Sequence, residues 1–166
     1  QASSAKLAVR FAASALNIRF HLKEWNMSDC IFCKIVRGEI PCAKIFEDTH
    51  VLSFMDINPI NRGHALIIPK QHYATLFEVP PDELQACIVV AQRVARAVYR
   101  ATAADGLNLV QNNLKAAGQL IDHVHFHAIP RHHNDGFLTS WPGKPYPDGE
   151  LSKMLEKIRA NFEAAT

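Results

Sequence analysis

Three histidines, His123, His125 and His127, alternate with apolar residues in the segment 123–128. This period of two predicts a β-strand with one face on the core and the three imidazoles on the other face. An unprotonated imidazole is a good nucleophile near neutral pH, and neighbouring imidazoles can bind charged oxygens or protonate a leaving group. Substitution at a tetrahedral phosphorus centre requires such a set of groups. The segment is therefore compatible with phosphorus chemistry that uses a histidine nucleophile.

The same spacing permits two other interpretations. A His-x-His pair on a strand also has good geometry for zinc, and a histidine run can be an accident of a solvated strand. Spacing alone supports metal binding and nucleophilic catalysis about equally, and accident less than either. Gly118 and Gln119 lie just before the histidines, where a loop can present backbone N–H groups to an anion.

Short alternating segments and helical stripes predict the elements that position the histidines. Apolar residues at helical spacing predict a long helix that starts at Pro80-Pro81 and an amphipathic helix at 151–162. Cys30 to Val36 is predicted as a short helix, so its two cysteines lie close together. The predicted strands are residues 43–47, 51–57, 64–68 and 107–112, together with the histidine segment.

Length, net charge and cysteine content indicate what kind of protein this is. The chain has 166 residues, a formal net charge of +2 and four cysteines. This length predicts one domain with a sizeable core. The small net charge argues against nucleic acid or a membrane surface as a partner, and no apolar run approaches the ~20 residues of a membrane span. The cysteine spacing is not that of a secreted disulfide framework, so we expect a reducing compartment, the cytoplasm.

Residues 1–27 differ in composition from the rest of the chain. They include four basic residues, and their only acidic residue is Glu24. This composition is typical of a mitochondrial transit peptide, which would make the location mitochondrial. An ordinary terminal helix, a cloning remnant and a start upstream of a true initiator at Met27 are the alternatives. We divide the chain into an N-terminal extension, 1–27, and a domain with a C-terminal tail, 28–166.

The motif His-φ-His-φ-His-φ-φ at 123–129, where φ is apolar, resembles the signature of the histidine triad family. The segments 30–35, 54–59, 63–70 and 111–119 resemble other family motifs in the same order. The tail most resembles the eukaryotic AMP-phosphoramidase branch. The resemblance implies an α+β fold with a five-stranded antiparallel sheet, two main helices and a two-fold homodimer.

The resemblance also implies catalytic roles. His125 attacks the α-phosphorus of a nucleotide and becomes nucleotidylated, after which water releases AMP. His123 orients His125, and His127 donates to a phosphate oxygen. The implied activity is cleavage of the P–N bond of adenosine 5′-phosphoramidates, with no metal needed for the chemistry.

A purine-nucleotide pocket follows from the same resemblance. Asp56 is expected to accept hydrogen bonds from the ribose hydroxyls, and His64 to lie near the phosphates. Asn112 and the backbone N–H groups of Gly118 and Gln119 are expected to donate to the phosphate. The apolar walls of the pocket are expected to be Phe32, Phe54 and Ile57, with Trp141 of the tail tuning specificity. Each residue also has a plainer interpretation, as a packing or turn residue.

Cys30 and Cys33 have the spacing of half a zinc site, although a pair of free core thiols has the same pattern. Zinc-binding members of the family complete such a site with two histidines. By that resemblance, the predicted structural zinc ligands are Cys30, Cys33, His50 and His123.

Two other activities remain compatible with the sequence. A dinucleoside polyphosphate hydrolase would use the same nucleophile with a different leaving group. A zinc-bearing nucleotide sensor or interaction module would bind AMP without forming a histidine adduct. Leu120 follows Gly118-Gln119 where many phosphoramidases of the family have a hydroxyl residue, which weakens the prediction of an amine leaving group.

Overall fold

The structure is a computed structural model that describes residues 29–137 and 143–163. The extension 1–27 and Trp141 lie outside the described residues, so their predicted roles stay predictions. The boundary at residue 28 also stays a prediction.

Among the described residues, five strands form one antiparallel sheet with the order β1-β2-β3-β5-β4. The strands are β1 Lys44–Glu47, β2 Val51–Met55, β3 Ala65–Pro69, β4 Gly106–Gln111 and β5 Phe126–Arg131. The same part of the chain contains three α-helices: α1 Ile31–Val36, α2 Pro81–Ala101 and α3 Glu150–Glu163. The predicted α+β class and five-stranded antiparallel sheet are confirmed.

The two faces of the sheet bury two different clusters, because successive strand residues point to opposite sides. On one face, α2 packs against a cluster that includes Val124, Phe126 and Ala128. On the other face, Phe32 of α1 packs against a smaller cluster that includes Leu66 and Ile68. The three apolar residues between and after the histidines therefore share one face, as their alternation predicted.

The regular strand β5 begins later than the alternation predicted. His127 pairs with Leu66 of β3 and with Val110 of β4, but the ladder ends at Phe126. Before that point, the backbone N–H of His123 donates to Ile121 O, and that of Val124 donates to Tyr73 O. His123 and His125 therefore lie in the segment that leads into β5, where neighbouring loops can reach them.

The turn between β2 and β3 passes very close to the end of α2. Gly63 has φ +102°, and a Cβ placed there would lie 2.4 Å from Thr102 Cγ2. Only glycine combines this backbone conformation with so close an approach. The turn therefore has a fixed position against the domain, and it carries Asp56 at its start and His64 at its end.

The amphipathic α3 is present as predicted, with its apolar side chains exposed. Leu151, Ile158 and Phe162 are 60%, 59% and 73% exposed. Within residues 29–137 and 143–163, no helix is long and apolar enough to cross a membrane.

Candidate active site

His125 has the geometry of a neutral nucleophile. Its side chain is 5% exposed, and its Nδ1 lies 2.6 Å from the carbonyl oxygen of His123. A carbonyl oxygen only accepts, so Nδ1 carries the proton and Nε2 keeps its lone pair. Burial lowers the pKa of His125, which favours this neutral form.

His127 has the opposite arrangement of its ring nitrogens. Its Nδ1 lies 2.9 Å from Nε2 of His64, which is 2% exposed. The other nitrogen of His64, Nδ1, accepts from the backbone N–H of Ile60 at 3.3 Å. His64 therefore donates through Nε2, His127 accepts at Nδ1, and the His127 proton lies on Nε2. Burial, followed by the charges of His125 and His64, lowers the pKa of His127 to about 4.

A pocket of about 530 Å³ opens in front of these two rings. This volume lies within the usual range of small-molecule sites, roughly 300–1,000 Å³. Of the predicted site residues, the pocket is lined by Phe32, Phe54, Asp56, Ile57, Asn112, Gly118, His125 and His127. Ile57 is 88% exposed, and Leu120, which also lines the pocket, is 88% exposed, so both can contact a ligand near solvent. His64, Gln119 and His123 lie behind the pocket lining.

The predicted role of the Gly118 and Gln119 backbone is corrected by the structure. Gly118 N already donates to Lys115 O at 2.9 Å, and Gln119 N donates to Leu114 O at 3.1 Å. These N–H groups close the turn, where Gly118 has φ +87°, and are not offered to an anion. The remaining predicted phosphate donor of this loop is the side chain of Asn112, which lines the pocket.

Gln119 holds the loop in place through its side chain. Its Nε2 donates to Ala74 O at 2.7 Å and to Ile121 O at 3.0 Å, and its Oε1 accepts from Leu114 N at 2.6 Å. The amide is 2% exposed. Gln119 therefore positions the loop beside the pocket without facing the pocket itself.

A second group of side chains meets behind the nucleophile, and we call it the thiol–histidine cluster: Cys30, Cys33, His72 and His123. His123 Nδ1 lies 3.5 Å from Cys30 Sγ, 3.6 Å from Cys33 Sγ and 3.2 Å from His72 Nδ1. His72 Nδ1 lies 3.3 Å from Cys33 Sγ. His123 Nε2 donates to Pro69 O at 2.9 Å, so its Nδ1 presents a lone pair to the cluster.

These distances match the edges of a metal tetrahedron. Zinc at about 2.0–2.1 Å from nitrogen and about 2.3 Å from sulfur separates two nitrogen ligands by about 3.3 Å, and nitrogen from sulfur by about 3.6 Å. Two thiols and two imidazole nitrogens are also a donor set that zinc prefers. Burial and the neighbouring Cys30 raise the pKa of the Cys33 thiol to about 11, so a cation is the natural means of holding it as a thiolate. The residues present therefore fit a structural zinc ion.

The predicted ligand set is corrected at one position, because the cluster contains His72 and not His50. His50 is 57% exposed at its side chain, and its Nδ1 lies 2.9 Å from Glu83 on α2. It belongs to the Asp48 turn, where the Asp48 carboxylate accepts from the backbone N–H groups of His50 and Val51. This turn directs the ring towards α2, on the opposite face of the sheet from α1.

One signal in the sequence was available for His72. Leu66 and Ile68 of β3 point to the face that α1 covers. The period of two that includes them, continued past the end of the strand, reaches His72 on that same face. The resemblance to zinc-binding members of the family favoured His50 instead, because those members have a ligand histidine near the start of the second strand, a position that His50 matches.

Comparisons with known proteins identify the family of the chain. A model of the HIT domain family matches residues 37–134. The protein adenylylsulfatase HINT3 of Arabidopsis thaliana is 49% identical over 81% of this chain and 70% of its own length. Adenosine 5′-monophosphoramidase HNT1 of Saccharomyces cerevisiae is 41% identical over 82% of this chain and 84% of its own length.

A solved structure has the same fold. The Zn-bound histidine triad family protein from Mycobacterium smegmatis is 36% identical and has a TM-score of 0.62, covering 84% of this chain and 99% of its own. An antiparallel sheet that places three alternating histidines beside a pocket defines the class. The chain belongs to the histidine triad (HIT) family, as its motif predicted.

Proposed function

We propose that the protein is a nucleoside 5′-monophosphoramidase that cleaves the P–N bond of adenosine 5′-phosphoramidates. The observation that carries the proposal is the ring of His125, whose protonated Nδ1 bonds to the His123 carbonyl and leaves Nε2 as a free nucleophile at the pocket. The yeast relative bears the name of this activity, which supports the proposal.

The reaction proceeds in two displacements at phosphorus. Nε2 of His125 forms a bond to the α-phosphorus, the P–N bond to the leaving group breaks, and the amine departs with a proton from solvent. Water then attacks the phosphorus, the bond to Nε2 breaks, and AMP leaves while the water proton returns to solvent. The Nε2–H of His127 and the Asn112 amide donate to the phosphate oxygens as negative charge develops.

A zinc ion at the thiol–histidine cluster forms part of the proposal as a structural cofactor. Cys30, Cys33, His72 and His123 would hold it, and the ion would supply charge that keeps the thiols deprotonated. His123 contributes its ring to the cluster and its carbonyl oxygen to His125. The cluster therefore fixes the backbone that sets the nucleophile's tautomer, without a metal step in the reaction.

A homodimer is the proposed assembly. β4 lies at one edge of the sheet, and its Leu109 is 40% exposed. The outer face of α2 also exposes apolar side chains, including Val89 at 53% and Tyr99 at 46%. A second copy that covers this edge and helix would bury these groups and leave no open strand edge there.

The experiment is intact-mass analysis after a rapid quench that avoids acid, because a phosphohistidine-type bond is acid-labile. Adenosine 5′-phosphoramidate, diadenosine triphosphate and adenylylsulfate are tested separately, and His125→Asn is the control. We expect an AMP adduct that forms and decays with the phosphoramidate and is absent in the variant, which should still bind AMP.

The three substrates separate the alternatives. Faster turnover of diadenosine triphosphate would assign the protein to the dinucleotide hydrolases. Faster turnover of adenylylsulfate would give it the activity named for the Arabidopsis relative, and it would agree with Leu120, since sulfate leaves without a proton donor. AMP binding with no adduct from any substrate would reject the enzyme in favour of a nucleotide sensor.

A further inference from the structure

Asn61 connects the β2–β3 turn to the strand that carries His127. Its side-chain Nδ2 donates to Pro130 O at 2.9 Å and to Asp135 Oδ2 at 2.8 Å. The turn is closed on itself by a bond from His64 N to Asn61 O at 3.0 Å. The Asn61 side chain therefore fixes the turn that contains both Ile60 and His64.

The Asp135 carboxylate, which accepts from Asn61, also receives hydrogen bonds from three other residues. Arg131 pairs with its carboxylate at 2.6 Å, and the backbone N–H groups of His132 and Phe137 also donate to it. The Arg131 guanidinium and these N–H groups hold the pKa of Asp135 far below its usual range. Asn61 thus bonds to a permanent carboxylate that moves little relative to β5.

The backbone N–H of Ile60 decides how the protons are arranged in the hydrogen-bond chain Ile60–His64–His127. It lies 3.3 Å from His64 Nδ1, and an N–H group can only donate. The proton of His64 is therefore on Nε2, which lies 2.9 Å from Nδ1 of His127. The proton of His127 is then on Nε2, the remaining ring nitrogen.

A carboxylate nearby favours the reverse arrangement. Asp56 Oδ2 lies 3.5 Å from the same His64 Nδ1, beyond a normal hydrogen bond. If the Ile60 N–H moved away, a hydrogen bond from Nδ1–H of His64 to the Asp56 carboxylate would stabilise the other tautomer of His64. His64 Nε2 would then accept from Nδ1–H of His127, and the other nitrogen of His127 would lose its proton. The Ile60 backbone N–H thus selects between two proton arrangements of this hydrogen-bond chain. In one, His127 presents a donor Nε2–H to a substrate, and in the other it presents an unprotonated Nε2.

We propose that Asn61 is a positioning residue that acts through the Ile60 N–H and His64 to keep His127 as an Nε2–H donor. The effect on turnover rests on the proposed function, since an oxygen of the reacting phosphate must receive that proton. The tautomer itself does not depend on which substrate the protein cleaves.

The first readout is ¹⁵N NMR of histidine-labelled protein at neutral pH, which distinguishes protonated from bare ring nitrogens. We expect wild-type His127 as the Nε2–H tautomer alone. In Asn61→Ala, which lacks both side-chain donors, we expect a mixture with the Nδ1–H form. Asn61→Ser retains one donor and should restore most of the wild-type tautomer.

Asn108→Ala is the matched control. Asn108 Oδ1 accepts from Arg131 Nη1, so its removal disturbs the same Arg131–Asp135 group from β4. Among the residues that the structure describes, the Asn108 side chain bonds to Arg131 and not to the turn of Ile60, so the tautomer of His127 should stay as in wild type. A change shared by both variants would mean general loosening of the structure and would overturn the role of Asn61.

The second readout is a split between kcat and affinity. Asn61→Ala should lower kcat by about tenfold, less than the roughly 10²-fold for outright loss of a hydrogen-bond donor because only part of the population changes tautomer, while the Kd of AMP changes less than about twofold. An Nδ1–H tautomer in wild type would overturn the proposal even if the variant did not fold. An unchanged tautomer in Asn61→Ala would overturn it too. A shifted tautomer in a protein that cleaves no phosphoramidate would reject the proposed function and leave the positioning role intact.

Discussion

The two ends of the histidine triad use the same residue type for different purposes. The pKa of His123 and that of His127 are both lowered to about 4, mainly by burial, so the pKa shift alone does not distinguish the two rings. Their partners do. His123 meets two thiols and Nδ1 of His72, whereas His127 meets His64 with a backbone N–H behind it.

Distances between nitrogens confirm this division. His64 Nε2 and His127 Nδ1 are 2.9 Å apart, which is a hydrogen bond. His72 Nδ1 and His123 Nδ1 are 3.2 Å apart and surrounded by sulfur, which is close to the edge of a zinc tetrahedron. The comparison teaches that two histidines of one motif can be suited to different roles, a candidate metal ligand and a hydrogen-bond donor, according to the atoms that face their ring nitrogens.

His125 depends on both ends. Its Nδ1 donates to the carbonyl of His123, and its ring centre lies 4.8 Å from that of His127. The end at the thiol–histidine cluster, which we propose binds zinc and therefore call the metal end, should control stability and the tautomer of the nucleophile. The His127 end should control turnover.

The largest effect is expected at the metal end. Chelation of zinc should lower the free energy of unfolding by about 4 kcal/mol when the free metal stands 1,000-fold above its Kd, because only the folded state holds all four ligands. Denaturant unfolding with and without chelator measures this difference. His64→Ala is the control and should show the same chelator-dependent loss. A chelator that leaves the transition unchanged would contradict the structural role.

An effect of intermediate size is expected at the His127 end. His127→Ala should lower kcat by about 10²-fold, because the phosphate loses one donor at the reacting centre. Single-turnover kinetics with the best substrate measures the change. Bound zinc should be the same as in wild type, because His127 lies outside the thiol–histidine cluster. Loss of metal in this variant would mean that the two ends are not independent.

The smallest effect is a dependence of stability on pH from the His64–His127 pair. Burial lowers the pKa of both rings in the folded state, that of His127 to about 4, while the unfolded chain takes up protons near pH 6.5. The unfolded state then binds more protons below that pH, so this contribution is complete above about pH 6.5 and is lost as the pH falls towards 4. Replacement of both rings by Gln should flatten the acid side of a stability–pH curve. A steeper curve in the double variant would contradict the assigned direction.

Local sequence patterns predicted most of the fold and the row of histidines. Alternation placed Val124, Phe126 and Ala128 on the core face, because the period of two extends from β5 back into the segment that precedes it. The Cys30-x-x-Cys33 pair was predicted from spacing on one short helix. These features depend on contacts near in sequence, which a pattern records.

The missed features depend on turns and on contacts distant in sequence. His50 was predicted as a ligand, yet the Asp48 turn directs it to Glu83, and His72 reaches the cluster from beyond β3. The bond from Ile60 to His64 and the occupied N–H groups of Gly118 and Gln119 also belong to turn geometry. A sequence pattern can identify these residues, but it does not predict the direction of their backbone N–H groups.

The central claim is that one triad joins a metal end to a hydrogen-bonded end. Native mass spectrometry tests it most directly, on protein exchanged into zinc at one equivalent per chain. We predict one zinc per chain in wild type, His50→Ala and His64→Ala, and its loss in His72→Ala. Zinc retained in His72→Ala but lost in His50→Ala or His64→Ala, or no zinc in wild type, would contradict the account.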